Sequence, residues 1–526
     1  MSITLSSPPA AESPRAATSA AAPDPTPRPG SHRDRAIDLV RFGCLVVVVV
    51  LHSMMSGAQL GPEGTVLPTV ALSGTVGFTV ASWFFQVMPL FFFIGGYAAL
   101  NGWRRTQAKG GDWRDYLRSR LRRLVVPVTV LIALAGLGLS VASEFGVSPE
   151  LLAEASTRIG QPLWFLAVYV GLTSLVPLAA HFHARAPRLT IAVLAGAVIA
   201  VDGLVALTGV SGFGYLNFLF VWPLIQQCGF FFADAVNRPV RTGAAWTVMV
   251  FALLGLGGLV AFGAYSPNML VNLNPPTGAL VLLGLAQMSA LRLGHAWLNG
   301  LVEGGESGSD GAIEMRARAW DRVISWGNSY GIHVYLWHMP VVIILIGGLG
   351  SVANLLSGVP LWEGANLGDV VLPAIESPLW WASRLPWLIV VMALSALLAV
   401  GMSKVPFLGE EKLARFGAAV EREVRGMRGT NAEADLRGSV AEADGSSGGG
   451  TDAFADADAG TATGPRRAAA AVGLAMAGIA IALLIGIAPL IWTIVSVALL
   501  AASLVLAAGL KRSPLSPARV SSVQHG

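Results

Sequence analysis

Long apolar runs constrain the fold of this chain more than any other feature of its sequence. Twelve segments of about 20 residues each are nearly free of charged side chains, and this is the length that an α-helix needs to cross a bilayer. Only 13% of the residues are charged, whereas soluble proteins have about 25%. We therefore predict an all-α polytopic integral membrane protein, because a helix satisfies its own backbone hydrogen bonds in lipid.

The predicted helices form a body of ten and a C-terminal pair. The pair is a transmembrane hairpin that follows a polar linker. The ten body helices lie near 36–55, 80–101, 123–143, 163–181, 190–208, 213–234, 244–264, 277–293, 330–349 and 384–402. Residues 64–79 are less apolar and rich in Gly and Thr, and we interpret them as a loop or a re-entrant segment.

Composition divides the chain into five segments. Residues 1–34 are rich in Ala, Pro, Ser and Thr, and we predict that they are disordered. Residues 35–404 form the ten-helix membrane domain. Residues 405–467 form a flexible cytoplasmic linker, 468–510 form the two-helix hairpin, and 511–526 form a second disordered tail.

Basic residues in the loops predict one orientation in the membrane. Residues 104–123 carry eight basic and two acidic side chains, so the positive-inside rule places this loop in the cytoplasm. The loop that contains Glu144, Glu150 and Glu154 falls on the opposite side. We expect a multi-pass protein of the plasma (inner) membrane with both termini in the cytoplasm. Because the basic clusters serve orientation, they do not indicate a nucleic-acid partner.

The first helix contains two polar residues that are costly in lipid. Arg41 and His52 are eleven residues apart, which places both side chains on one helix face, about 16 Å apart along the axis. Ionisable groups inside membranes often mark functional sites. Alternatively, Arg41 extends to the membrane surface and His52 is a packing residue. Asp38 lies one turn before Arg41, where it can orient the guanidinium or form an ordinary surface pair.

A cluster of arginines leads into the third predicted helix. Arg118, Arg120, Arg122 and Arg123 explain retention of this loop in the cytoplasm. Guanidinium groups also bind phosphates in bidentate fashion, so the same cluster suits a nucleotide-bearing donor. Both interpretations remain open from the sequence.

Metal and cysteine chemistry have little support. Cys44 and Cys228 lie in apolar runs, so neither a disulfide framework nor a cysteine-based metal site is expected. His333 and His338 are five residues apart, about 140° around a helix, and cannot share a metal on that helix alone. We therefore predict no metal site.

Five motifs in this order resemble the membrane acyltransferase-3 family over roughly residues 35–402. The residues that carry the resemblance are Arg41 and His52, Phe91–Tyr97, Arg123 with Leu124 and Pro127, Trp164–Leu166, and Tyr335–His338. Gly95 is a departure, because the family usually has Ser at this position.

The resemblance implies a function and a set of site residues. Members of the family transfer an acyl group, commonly acetyl, from a cytoplasmic acyl-CoA to a hydroxyl of a glycan, a lipid-linked intermediate or a macrolide-like product. Arg41 and His52 would be the essential pair, with His52 as general base or transient acyl carrier. Tyr97, Trp164 and His338 match motif positions with a substrate-binding or structural role. The acyl-CoA is a co-substrate, no tightly bound cofactor is expected, and membrane lipids and the acceptor are the other partners.

Two other functions compete with this hypothesis. A transporter or flippase for glycans or lipids could use an intramembrane histidine for proton coupling. However, the third, seventh and tenth predicted helices have almost no polar side chains, which disfavours a pore. A non-catalytic scaffold would leave Arg41 and His52 unexplained.

Overall fold

Long helices make up nearly all of the structure, a computed structural model that describes residues 34–61, 66–235, 239–303, 311–362, 365–405, 415, 419 and 452–510. Within these ranges, eleven helices are long and apolar enough to cross a membrane, and a bent helix pair brings the number to twelve. The prediction of an all-α polytopic membrane protein is confirmed. Residues 1–33 of the predicted tail 1–34, the predicted tail 511–526 and most of the predicted linker lie outside the described residues.

The elements follow the predicted order. Those of the body are α1 (Arg35–Met55), β1 (Ser56–Leu60), β2 (Val66–Val70), α2 (Val76–Phe85), α3 (Met88–Ala108), α4 (Trp113–Glu144), α5 (Pro149–Gly160), α6 (Leu163–Ser174), α7 (Val176–Arg185), α8 (Pro187–Thr208), a 3-10 helix (Ser211–Leu219), α9 (Val221–Ala235), α10 (Thr242–Ala261), α11 (Gly278–Glu303), α12 (Gly311–Leu356), β3 (Pro360–Trp362), β4 (Ala365–Asn366), α13 (Leu367–Val371) and α14 (Pro378–Ser403). The last two helices are α15 (Asp452–Leu484) and α16 (Leu490–Ala508).

The structure differs from the predicted spans at several places. The predicted helix 80–101 is divided between α2 and α3, and α4 begins at Trp113, inside the predicted loop 104–123. The predicted helix 163–181 is two helices, α6 and α7, bent by 54°, because Pro177 in the first turn of α7 lacks a backbone N–H. The segment 64–79 contains β2, which pairs antiparallel with β1 in a hairpin, and the start of α2. Helix α15 begins at Asp452, inside the segment predicted as linker.

Small residues allow α3 and α9 to cross closely. A Cβ atom at Gly96 would overlap the backbone carbonyl of Gln226, and one at Gly229 would overlap the carbonyl of Phe93. Side chains larger than hydrogen therefore cannot be placed at this crossing without moving a helix. Aromatic side chains pack around this crossing, and we call them the aromatic core. Within it, the ring centres of Phe92 and Trp222 are 4.4 Å apart.

The C-terminal hairpin is packed against the body on α4, α5 and α6. Gly136 of α4 faces Thr493 of α16 so closely that a Cβ atom at residue 136 would overlap the threonine side chain. The Oγ of Ser156 in α5 accepts a hydrogen bond of 2.7 Å from the backbone N–H of Ile487 in the turn of the hairpin. Helices α15 and α16 therefore extend the packed bundle beside α4.

The close contact at Gly136 predicts that packing of the hairpin contributes to the stability of the body. Gly136→Val should lower the thermal unfolding temperature of the detergent-solubilised protein, with a loss of about 1–3 kcal/mol from overpacking. Gly138→Val is the matched control, because Gly138 lies two residues away on α4 with open space around it. Equal unfolding temperatures for the two variants would contradict the close packing of α16 on α4.

Candidate functional site

Helix α1 is capped at its N-terminus by a partly buried carboxylate. Asp34 caps the helix, with its Oδ1 accepting from the backbone N–H of Ile37 at 3.1 Å. Its Oδ2 lies 2.8 Å from Nε2 of His295 in α11. Burial acts to raise the pKa of Asp34, but the hydrogen bond and charge of His295 and the backbone amides together lower it below the ordinary value of 3.8.

A cavity of about 120 Å³ opens beside α1 near its N-terminal half. Arg41, Arg120 and Arg123 line one part of it, and we call this the basic cavity. Its remaining wall is mainly apolar and aromatic, from α1, α3, α4, α6 and α12. The guanidinium of Arg41 lies 5.9 Å from the centre of the Phe91 ring, a cation–π contact. The basic cavity therefore combines concentrated positive charge with an apolar interior, which suits an anionic ligand that has an apolar arm.

The four arginines of the α4 cluster do not all face this cavity. Arg120 and Arg123, three residues apart, share the face of α4 that lines it. Arg118 and Arg122, four residues apart, share a neighbouring face and line a separate groove, which Arg123 also borders. Arg118 is 3.5 Å from the carboxylate of Asp115 on its own helix. Helix periodicity thus divides the predicted donor-binding cluster into two pairs.

His52 meets His338 beyond the end of the basic cavity. His52 lies in the last turn of α1, and its Nδ1 is 3.2 Å from Nε2 of His338 in α12. His338 is fully buried, and its Nδ1 is 2.6 Å from the backbone carbonyl of Tyr335. Two helices that are far apart in sequence therefore place two imidazoles in direct contact.

The hydrogen bonds fix the proton positions when both imidazoles are neutral. The Tyr335 carbonyl can only accept, so Nδ1 of His338 carries the proton and Nε2 of His338 has a lone pair. Nε2 of His338 then accepts from Nδ1–H of His52. Nε2 of His52 is left with a free lone pair, which makes it available as a base or a nucleophile.

The basic cavity and the histidine pair lie along the same helix faces. On α1, Arg41, Leu45 and Val48 line the cavity, and His52 continues this series at helical spacing. On α12, the cavity-lining residues include Asn328 and Tyr335, and His338 lies one turn beyond Tyr335. The predicted alignment of Arg41 and His52 on one face agrees with this arrangement.

The remaining predicted residues lie around the site. Trp164 belongs to the aromatic core, where its ring is 6.1 Å from that of Trp222. The Tyr97 ring packs against Phe232, and Asp38 lies in the first turn of α1. Neither Tyr97 nor Trp164 is among the residues that line the basic cavity.

Sequence reasoning missed two contributors to the basic cavity. Tyr169 of α6 lines it, and a Cβ atom at Gly95 would lie 3.2 Å from the Tyr169 ring, so glycine at this motif position leaves room for the tyrosine. Asn328 also lines the cavity, and its buried Nδ2 has no hydrogen-bond partner in the described residues. The sequence gives no signal for Asn328, which is one of several polar residues before the Tyr335–His338 motif.

Comparison with known proteins identifies one family. A family model described as an acyltransferase domain matches residues 34–404, well over half of the chain. No curated protein and no solved structure gives a significant match.

The Asp34–His295 pair predicts a pH-dependent contribution to stability. Asp34→Asn keeps a capping side chain but removes the charge, so the variant should unfold at a lower temperature than the parent protein at pH 7. Because the folded-state pKa of Asp34 is lowered, this contribution is present above pH 3.8 and is lost as the pH falls through the lowered pKa. Thermal unfolding of both proteins between pH 7 and pH 3 measures it, and a difference that does not shrink in acid would contradict the pairing.

Proposed function

As a member of the acyltransferase-3 family, which the match over residues 34–404 shows it to be, this chain is a membrane acyltransferase, and we propose that it transfers an acyl group from acyl-CoA to a hydroxyl. We propose acetyl as the acyl group and a glycan, a lipid-linked intermediate or a secondary metabolite as the acceptor. The observation that carries the proposal is the basic cavity with its three arginines, which precedes the His52–His338 pair along α1 and α12.

The basic cavity supports acyl-CoA as the donor. Arg41, Arg120 and Arg123 offer bidentate donors to its phosphate groups. The apolar wall suits the uncharged arm that carries the thioester. The unpaired Nδ2 of Asn328 suits an amide carbonyl of that arm, because a buried amide donor without a partner is costly. The donor would enter from the end where these arginines lie, which we propose is the cytoplasmic side of the plasma membrane.

The chemistry that we propose uses the lone pair on Nε2 of His52. The acceptor hydroxyl gives its proton to this nitrogen as its oxygen attacks the thioester carbonyl. The new C–O bond forms, the C–S bond breaks, and the imidazolium returns the proton to the CoA thiolate. His338 supports the imidazolium, because its Nε2 accepts from Nδ1–H of His52 throughout.

A variation of this mechanism uses the same nitrogen as a carrier. Nε2 of His52 would attack the thioester and release the CoA thiol, and the hydroxyl would then take the acyl group from the imidazole. Incubation with radiolabelled acetyl-CoA in the absence of acceptor distinguishes the two routes. Label that stays on the protein and is absent from a His52→Ala variant indicates the carrier route.

Removal of His52 should abolish activity without loss of the fold. We expect His52→Ala to lower kcat for acyl transfer by about 100-fold or more, which is the usual contribution of a general base. Release of CoA thiol from acetyl-CoA by purified protein in detergent, with candidate acceptors present, measures the effect.

A matched control separates the role of His52 from a general effect of histidine loss. His333→Ala removes a histidine of α12 that lies five residues before His338 and does not line the basic cavity. This variant should keep parental activity. Full activity in His52→Ala, with insertion and unfolding temperature unchanged, would refute the proposed mechanism.

The two pairs of arginines on α4 predict different effects on donor binding. Arg120→Gln should raise the KM for acetyl-CoA by about tenfold, because a charge-assisted contact to phosphate is lost. Arg118→Gln should leave this KM near the parental value, since Arg118 lies outside the basic cavity. Steady-state kinetics with varied acetyl-CoA compare the two. Equal effects of the two substitutions would contradict donor binding in the basic cavity.

A further inference from the structure

A second cavity lies on the other side of the histidine pair. It has a volume of about 280 Å³, and its wall comes from β1, the end of α12, α13 and the loop after it, and α14. Ser56, Leu345, Arg384 and Trp387 are among its lining residues, and we call it the far cavity.

The far cavity adjoins the segment that carries His52. Ser56 follows His52 by one helical turn, and its Oγ donates to the His52 carbonyl at 2.8 Å. Nε1 of Trp387 donates to the carbonyl of Ser53 at 3.1 Å. Both Ser56 and Trp387 line the far cavity.

Along α12, the far cavity also follows the histidine. Leu345 follows His338 by seven residues, which returns to nearly the same helix face about 10 Å further along the axis. The basic cavity therefore precedes the histidine pair along α1 and α12, and the far cavity follows it.

Arg384 is the one ionisable side chain among the residues that line the far cavity. Its Nε donates to the Trp380 carbonyl at 3.1 Å, and its Nη2 donates to Oγ of Ser383 at 3.0 Å. The guanidinium lies 4.3 Å from the centre of the Trp380 ring and 5.6 Å from that of Trp387. These contacts hold the guanidinium in place before any ligand arrives.

The contacts of Arg384 leave its charge without a counterion. A guanidinium has five N–H donors, and the two hydrogen bonds use two of them. No carboxylate lies within 4 Å of Arg384 among the residues that the structure describes. Arg384 is partly buried and lies about two turns from the start of the membrane-spanning α14, and a charge in such a place is stabilised by an ion-pair partner. An anionic ligand would supply this partner.

We propose that the far cavity binds the acceptor of the acyl group through a carboxylate or phosphate on that acceptor, held by Arg384. This inference rests on the proposed function, because it assigns the second substrate of the same reaction. The acceptor class is an anionic glycan or glycolipid, which combines the glycan acceptor of the proposed function with the anion that Arg384 would pair with in a mainly apolar cavity. Its hydroxyl approaches His52 past Ser56, from the side opposite to the acyl-CoA.

The charge of the far cavity can be measured without knowledge of the natural acceptor. Leu349 lines the cavity, so Leu349→Cys, combined with Cys44→Ala and Cys228→Ala, places a single thiol there. The full-length protein in phosphatidylcholine nanodiscs is treated with a sulfonate-bearing or a trimethylammonium-bearing methanethiosulfonate reagent. After normalisation to a free thiol, we expect the anionic reagent to react about fivefold faster or more at low salt.

Variants at Arg384 then test the source of the preference. Arg384→Gln should abolish it and Arg384→Lys should retain it, and 1 M salt should suppress it in the protein that has Arg384. Arg158→Gln is the matched control: Arg158 lies in α5, is paired with Glu154 and does not line the far cavity. Equal rates for the two reagents at low salt, or a preference that survives both Arg384→Gln and 1 M salt, would overturn the proposal.

Protection of the introduced thiol identifies the anion. Octyl glucuronide tests a sugar carboxylate, and a glucosyl polyprenyl phosphate tests a phosphate; slower modification with either supports the proposal and names the group. Protection by neither, or equal protection by the neutral octyl glucoside or by phosphatidylglycerol, would overturn it. Thiol modification requires no turnover, whereas the proposed function is tested by CoA release, so the two can fail independently.

Discussion

The hydrogen bond between His52 and His338 is the contact on which the arrangement of the site depends. It joins the last turn of α1 to the middle of α12. In an apolar interior each unpaired imidazole nitrogen would be costly, and the chain of bonds from the Tyr335 carbonyl through His338 to His52 satisfies three of the four nitrogens. The fourth, Nε2 of His52, is the only one of the four left for chemistry. The same bonds that join the two helices thus leave a single imidazole lone pair without a hydrogen bond.

The sequence predicts the spans well and the site only in part. Hydropathy and helix length are local properties, so the membrane helices could be found from composition alone. Helix periodicity places Arg120 and Arg123 on a different face of α4 from Arg118 and Arg122. The sequence does not show which of these faces points inward. The contact of His52 with His338 could not be predicted, because 286 residues separate them and no local pattern encodes which helices cross.

The two cavities differ in a way that matches their proposed ligands. The basic cavity has three arginines and suits a ligand with several phosphates. The far cavity has one arginine between two indole rings and suits a single anionic group on a sugar. Because the histidine pair lies between the two cavities along α1 and α12, the two proposed substrates would approach His52 from opposite sides. At Gly95, a side chain would press on Tyr169, which lines the basic cavity.

Helix α4 carries residues of both the basic cavity and the junction with the C-terminal hairpin. It carries Arg120 and Arg123 near its start and Gly136 at the junction with α16. The distance from Arg123 to Gly136 is about 20 Å at 1.5 Å per residue, so a tilt of about 5° at the junction moves the arginines by nearly 2 Å. Hydrogen bonds to phosphate do not survive a displacement of that size without rearrangement. Because α16 packs against α4 at Gly136, the seating of the C-terminal hairpin would limit such a tilt and with it the displacement of the arginines.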